Sequence, residues 1–131
     1  MEQPEVMEDT AQRVWAALEA SDASAFGDLL DPDVTWGAPG ARHPTCRNRN
    51  QVVEWYERGK ESGAGAHVTE VVVLGNRLLV GLTVRGTEGA RERGGVALRW
   101  QVLTVSGGRV TDIVGFNDRE DAVAHAGIAV P

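Results

Sequence analysis

Histidine side chains are the groups in this sequence whose ordinary pKa best suits proton transfer at neutral pH. His43 lies in a glycine- and proline-containing stretch over residues 37–48, where it is either a general acid–base group or an ordinary surface residue. His67 and His125 are expected at the start of a strand and on an exposed helix position. The three histidines show no mutual spacing typical of a metal site. The sequence therefore offers His43 as a catalytic candidate and predicts no bound metal.

Asp118 is the second candidate for a catalytic acid. It directly precedes Arg119-Glu120-Asp121, a position that also suits the N-cap of a helix, so both interpretations stay open. The neighbouring Asn117 could orient a carbonyl or hydroxyl group of a ligand, or it could simply begin the turn into that helix. Cys46 is the only cysteine, and the pattern of basic residues around it is not strong enough to indicate a nucleophile, so we expect it to be inert.

A hairpin over residues 95–118 is the clearest element that could position such groups. Gly107 and Gly108 favour a tight turn at residues 106–108, and a helix over residues 118–126 is predicted to follow. Alternation with a period of two indicates that the first strand has two different surfaces. One surface carries Val96, Leu98, Trp100, Val102 and Thr104, and the other carries Ala97, Arg99, Gln101, Leu103 and Val105.

The rest of the chain predicts helices ahead of a sheet. Apolar residues recur at helical intervals over residues 7–20 and 23–30, and Asp31-Pro32 is expected to end the second helix. A third helix is expected to begin near Asn48 or Asn50 and to end at Gly59 or Gly63. Strands are predicted over residues 34–36, 67–74 and 77–85, and a charged loop over residues 87–94.

This order of elements predicts a single α+β domain over residues 1–131. Helices followed by a run of antiparallel strands favour a curved sheet wrapped around the N-terminal helices. A cavity is expected where the concave face of the sheet and the helices diverge, and such a cavity is the default ligand site of a small domain.

Composition narrows the classes of partner. The chain has 131 residues, of which 42% are hydrophobic, and a net charge of −6, which disfavours nucleic acid because phosphate binding needs clustered Lys and Arg. The single cysteine excludes an internal disulfide. No stretch reaches the ~20 apolar residues that span a membrane, and the acidic N-terminus lacks a signal-peptide pattern. We therefore expect a cytoplasmic protein with no membrane or nucleic-acid partner.

Three stretches resemble the nuclear transport factor 2-like superfamily and, within it, the SnoaL-like proteins. They are VWAALEASDASAFGDLLDPDVTW, VVEWYERG and GGRVTDIVGFNDREDAVAHAGI. The resemblance implies a cone of curved antiparallel sheet closed by helices, usually in a homodimer. Members of the superfamily include ketosteroid isomerases, limonene-type epoxide hydrolases, polyketide cyclases, dehydratases and non-catalytic binders, so the fold alone does not imply a function.

The resemblance argues against ketosteroid isomerase activity. The position of the isomerase base falls on Ala38, that of the oxyanion tyrosine on Val14, and that of the second oxyanion donor on Trp100. None of these side chains can act as a base of tuned pKa.

Epoxide hydrolase activity of the limonene type is disfavoured in the same way. The aspartate of the last strand corresponds to Gly115, and the Arg-x-Asp pair corresponds to Thr83 and Arg85. The acid of SnoaL-like cyclases has its nearest counterpart in Asp118, which leaves a cyclisation role open.

The resemblance also implies an aromatic, apolar pocket for a small organic ligand. It places Val14, Trp36, Tyr56 and Trp100 on one surface, with Asn117 facing inward, and the alternative is that these residues pack in a filled core. Arg99 and Gln101 would then face the opposite side of the sheet, through which family members usually dimerise, and we favour an interface role for them over a role in the active site.

Two functions follow as alternatives from the sequence. The first is a cofactor-free isomerase, cyclase or dehydratase that acts on a small polyketide-like molecule, with His43 or Asp118 as the acid–base residue. The second is a non-catalytic binding or accessory domain.

Overall fold

The computed structural model of the chain describes residues 3–92 and 94–127. Within that part, helices and a single sheet occur in the predicted α+β arrangement. The helices are α1 (Pro4–Glu19), α2 (Ala23–Gly27), α3 (Arg49–Glu61), α4 (Glu88–Glu92) and α5 (Arg119–Gly127). The strands are β1 (Leu30–Gly37), β2 (Gly65–Leu74), β3 (Arg77–Arg85), β4 (Val96–Ser106) and β5 (Arg109–Phe116).

The five strands form one curved, open sheet in the order β1-β5-β4-β3-β2. The pairs from β2 to β5 are antiparallel, whereas β1 runs parallel to β5. Because of these directions, β1, β3 and β5 end where β2 and β4 begin, along the edge of the sheet that runs across the strand ends. The α+β fold with a curved sheet is confirmed, and the parallel pairing of β1 adds a feature that the strand pattern did not indicate.

Capping side chains begin several of the helices, α2 and α3 among them. Asn48, one of the two predicted caps, accepts a hydrogen bond from the backbone N–H of Gln51 at 2.9 Å and starts α3. Asp22 caps α2 through the backbone N–H of Ala25, also at 2.9 Å.

The second helix is shorter than predicted. It ends at Gly27, and Asp31-Pro32 lies inside β1 instead of terminating a helix. The backbone N–H of Val110 donates to the carbonyl of Leu29 at 2.8 Å, which commits this segment to the sheet. Proline is tolerated there because β1 is an edge strand and its register shifts between Leu30 and Thr35.

The predicted loop over residues 87–94 contains the short helix α4. The Thr87 hydroxyl accepts a hydrogen bond from the backbone N–H of Ala90 at 3.1 Å, and Ala90 itself is fully buried. A cap and one buried apolar residue are therefore enough to turn this charged stretch into a helix.

Apolar side chains cover both faces of the sheet. The larger core lies between the concave face and α1 to α3, and it contains Val14, Phe26, Val80, Leu103 and Ile113 among others. A smaller cluster on the outer face includes Leu79, Val102, Phe116, Ala122 and Ala126, the last two from α5.

An ion pair fixes the start of α5 on the outer face. Arg119 donates from Nε and Nη2 to the two carboxylate oxygens of Glu70, at 2.9 Å each. The hydrogen bonds from Arg119 hold the pKa of Glu70 below its usual range.

None of the helices in the described ranges is long and apolar enough to cross a membrane.

Two valines on neighbouring strands test how this core is built. Val80 is fully buried, whereas Val73 is 37% exposed. Val80→Ala removes two buried methyl groups, and we expect it to lower the free energy of unfolding by about 2 kcal/mol. Val73→Ala should change it by about 0.5 kcal/mol or less. Urea unfolding of both variants measures the difference, and equal losses would contradict the assignment of the core.

Candidate functional site

A cavity of about 900 Å³ opens at the edge of the sheet where β1, β3 and β5 end. Its other walls come from the turn between α1 and α2 and from the C-terminal half of α3. Apolar residues such as Phe26, Leu82 and Val84 form most of the lining. The cavity thus occupies the place where the helices leave the concave face of the sheet.

Aromatic rings form one wall of this cavity. The Trp36 ring, at the end of β1, stacks on Tyr56 with ring centroids 5.8 Å apart and an interplanar angle of 14°. Trp55 meets Trp36 edge-on at 5.2 Å, and Phe26 meets Tyr56 in the same way at 5.2 Å. Stacked and edge-to-face contacts of this kind hold the rings in fixed orientations. The wall is therefore a preformed flat surface against which another ring can stack.

A hydrogen-bonded pair of polar side chains lies against this wall. Gln101, on β4, is 7% exposed, and its Nε2 donates to the Tyr56 hydroxyl oxygen at 3.2 Å. The Gln101 Oε1 is buried and has no partner among the described residues. Turning the amide over would leave Nε2 unpaired instead, so in either orientation the pair keeps a hydrogen-bonding group for a third partner.

Burial keeps the Tyr56 phenol protonated. It raises the pKa of Tyr56 to about 12, although the hydrogen bond from Gln101 acts in the opposite direction. At neutral pH the phenol is therefore a hydrogen-bond donor and not a base.

Charged side chains border the mouth of the cavity. Three are cationic, namely Arg58, Lys60 and Arg99, and the only carboxylate that borders the cavity in the described structure is Asp22. Asp22 is exposed and caps α2, as described above. The inner part of the cavity therefore holds no carboxylate from the described residues.

Four of the five predicted ligand-binding residues border the cavity, namely Trp36, Tyr56, Trp100 and Asn117. Asn117 is exposed at the mouth of the cavity. Val14 is fully buried in the larger core and does not line the cavity. It therefore packs in the core instead of facing a ligand.

The expected orientation of Trp100 is wrong. Although Trp100 borders the cavity at the sheet edge, it packs with the outer cluster beneath α5. It pairs with Gly81 on β3, and a Cβ atom on Gly81 would lie 3.2 Å from the indole Nε1. The missing side chain of Gly81 thus leaves room for the indole on the outer face.

The expectation for Arg99 and Gln101 is wrong for the same reason. They pair across the sheet with Leu82 and Val80, which belong to the larger core, and both border the cavity. The two surfaces of β4 are divided as predicted, but their inner and outer assignments are reversed. A dimer interface on the outer face of the sheet would therefore not include these two residues.

The two predicted acid–base residues lie outside the cavity. His43 is exposed in the loop after β1, with Nδ1 3.4 Å from Nη2 of Arg47. Asp118 is exposed and caps α5, since its Oδ1 accepts from the backbone N–H groups of Glu120 at 2.7 Å and Asp121 at 3.3 Å. Neither side chain lines the cavity, and of the two interpretations of Asp118 the structure shows the cap.

Two positions that the resemblance links to catalytic aspartates do border the cavity. They are Ala38, at the position of an isomerase base, and Gly115, at that of an epoxide hydrolase acid. A Cβ atom on Gly115 would lie 3.9 Å from Nε1 of Trp36, so the position faces the aromatic wall. Neither residue carries an ionisable group.

In the described ranges, no group of three or more His, Cys, Asp and Glu side chains could hold a metal ion.

Comparison with known proteins identifies the family. A model of the SnoaL-like domain matches residues 11–113, which is most of the chain. The chain belongs to the SnoaL-like family. A comparison with curated proteins finds no match to it.

Solved structures support the fold of this SnoaL-like domain. A "putative polyketide cyclase" from Sinorhizobium meliloti is 22% identical with a TM-score of 0.64, and the match covers 85% of this chain and 98% of the other. An uncharacterized cystatin fold protein from Novosphingobium aromaticivorans is 14% identical with a TM-score of 0.69, covering 85% and 97%. An LEH-like epoxide hydrolase of M. tuberculosis is 16% identical with a TM-score of 0.63, covering 96% and 95%. At these identities the similarity shows the fold alone.

Tyr56 is the only tyrosine in the chain, so its titration can be followed without interference. We expect phenolate absorbance to develop near pH 12 in the folded protein and near about pH 10 in urea. Because the folded pKa is the higher one, the free energy of unfolding should fall as the pH rises from about 10 to 12. In Tyr56→Phe, the free energy of unfolding should not show the part of this fall that is due to Tyr56. A folded pKa near 10 would contradict the burial of the phenol.

Proposed function

We propose that this SnoaL-like protein binds a small, largely apolar, ring-containing organic molecule in the cavity. A hydroxyl or carbonyl group of that molecule is held by the Gln101–Tyr56 pair. The observation that carries the proposal is the buried Gln101 Oε1, which has no partner in the described structure and lies beside an aromatic wall.

The energetics of the polar pair support a bound partner. A buried polar atom without a hydrogen bond costs about 1–3 kcal/mol, and a ligand group that supplies the missing bond recovers that cost. The Tyr56 hydroxyl and the Gln101 amide together can donate to a carbonyl or accept from a hydroxyl. The pair is therefore suited to recognising one neutral polar group within an apolar molecule.

The size and shape of the cavity support the same proposal. A volume of about 900 Å³ accommodates a molecule of several fused rings. The stacked Trp36 and Tyr56 rings favour an aromatic or planar ligand, since ring stacking adds about 0.5–1.5 kcal/mol beyond simple burial.

The side chains that line the cavity suit ligand binding better than they suit catalysis. A protonated phenol can polarise a carbonyl, but an isomerase or cyclase also needs a base that reaches the substrate. His43 and Asp118 lie outside the cavity, and the Asp22 carboxylate caps a helix at its mouth. The proposal therefore assigns no catalytic role to these three residues.

The homodimer implied by the resemblance remains a proposal. Because Arg99 and Gln101 face the cavity, an interface through the sheet would use the outer surface beside α5. Light scattering of the purified protein measures the oligomeric state.

The polar pair can be tested with 2-naphthol, a two-ring probe that carries one hydroxyl group. We expect 2-naphthol to quench tryptophan fluorescence, because Trp36 and Trp55 form the wall. The double variant Tyr56→Phe, Gln101→Leu removes both polar partners together, so no unpaired group is left behind. Its affinity for 2-naphthol should fall about tenfold, as expected for one lost hydrogen bond.

His43→Ala serves as the control, because His43 is exposed and does not line the cavity. This variant should bind 2-naphthol as the unmodified protein does. Unchanged affinity in the double variant, or no binding to the unmodified protein, would contradict the proposed function.

A further inference from the structure

The mouth of the cavity is positively charged in a protein that is acidic as a whole. The chain carries a net charge of −6, yet Arg58, Lys60 and Arg99 all border the cavity. The single carboxylate among the described lining residues, Asp22, already accepts the N–H of Ala25. The local balance of charge is thus opposite to that of the chain.

These cations are not used in the ion pairs of the described structure. Those pairs join Asp9 to Arg13, Glu19 to His67 and Glu70 to Arg119. Two of the cavity cations, Arg99 and Lys60, donate side-chain hydrogen bonds to backbone carbonyls.

Arg99 donates from Nη1 to the carbonyl of Leu98 at 2.9 Å, and Lys60 donates from Nζ to that of Ser21 at 3.4 Å. Both are weak restraints on groups that can bind an anion. The structure therefore gives these cations no carboxylate partner of their own within its described ranges.

Arg99 is the cation best placed to meet a bound ligand. It lies on the same face of β4 as Gln101, opposite the buried Leu82, and it is itself half-buried. Two residues along a strand correspond to about 7 Å. A molecule that reaches the Gln101 amide with one end can therefore place a second group beside Arg99.

We propose that the ligand is an organic acid, with an apolar ring body, a carboxylate bound by Arg99, and a hydroxyl or carbonyl group at Gln101 and Tyr56. Arg58 and Lys60 attract the carboxylate at the mouth of the cavity. The inference rests on the proposed function and names the substrate class of the same site. The planar guanidinium of Arg99 matches the two oxygens of a carboxylate, and its contact with an apolar cavity strengthens the pairing.

Three matched probes separate the two polar groups of the ligand. They are 2-naphthol, 2-naphthoate and 6-hydroxy-2-naphthoate, which share one ring system. Each is titrated by fluorescence at low ionic strength against the unmodified protein, Arg99→Met, Arg99→Lys and the control Arg109→Met. Arg109 is exposed at the first residue of β5, at the opposite edge of the sheet from the cavity, and its substitution changes the net charge equally. Circular dichroism checks that each variant is folded.

In the unmodified protein, 6-hydroxy-2-naphthoate should bind more tightly than either probe with a single polar group. Arg99→Met should weaken both carboxylates about ten- to one-hundredfold, as expected for a lost charge-assisted hydrogen bond, and leave 2-naphthol unchanged. Arg99→Lys keeps the positive charge but loses the paired N–H donors of the guanidinium. Its affinity for the two carboxylates should lie between that of the unmodified protein and that of Arg99→Met. Arg109→Met should leave all three affinities unchanged.

The inference is overturned if Arg99→Met leaves carboxylate affinity unchanged, or if it weakens 2-naphthol and the carboxylates equally. It is also overturned if Arg109→Met weakens the carboxylates as much as Arg99→Met does. In each of these cases, binding of 2-naphthol to the unmodified protein still supports the proposed function. If none of the three probes binds, both proposals fail.

Discussion

The hydrogen bond between Gln101 and Tyr56 is the contact on which the site depends. It joins the middle of β4 to α3 across the inner end of the cavity. An amide on a concave apolar face needs a partner, because an unpaired buried polar atom costs about 1–3 kcal/mol. Tyr56 supplies one bond, and it is held in place by Phe26 and Trp36. The amide therefore links β4 to α3, which carries Tyr56 and Trp55 of the aromatic wall.

The direction of β1 has a comparable effect on the other side of the cavity. As a strand parallel to β5, β1 ends at the same edge of the sheet as β5 does. Trp36 and Ala38 from one strand and Gly115 and Asn117 from the other are thereby brought to the same cavity. An antiparallel β1 would carry Trp36 toward the opposite edge, far from Tyr56. The parallel pairing is thus a structural requirement of the aromatic wall.

Most of the fold could be predicted from the sequence because its signals are local. Periodic apolar residues, the Asn48 cap and the glycine turns each act within a few residues of the chain. The faces of β4 could not be assigned in this way. Alternation shows which residues share a surface of the strand, but it does not show which surface faces the helices. Both surfaces of this strand are apolar, since α5 covers the outer one. Val102 and Leu103 are equally buried on opposite faces, so hydrophobicity alone could not separate them.

The polar residues of β4 carry the signal that could have resolved this ambiguity. Arg99 and Gln101 lie on one surface, and a glutamine in the middle of a strand is unusual on a face that only packs. The opposite surface offers Trp100, which the resemblance favoured as a ligand contact because an oxyanion position of the isomerases falls on it. The position of Trp100 depends on Gly81, a residue on a different strand, and no pattern within β4 can show that relation.

The chemistry of the cavity follows from which charges it contains and which it lacks. An apolar enclosure strengthens any electrostatic interaction inside it, because little water is present to screen the charges. Such a site can stabilise an anion beside Arg99 and a neutral polar group beside Gln101, and both interactions favour a bound ground state. Proton abstraction would require a carboxylate or imidazole in contact with the ligand, and the two cavity positions that the resemblance links to catalytic aspartates carry Ala38 and Gly115. The described inner lining therefore offers no carboxylate or imidazole to remove a proton from the acid that we propose as the ligand.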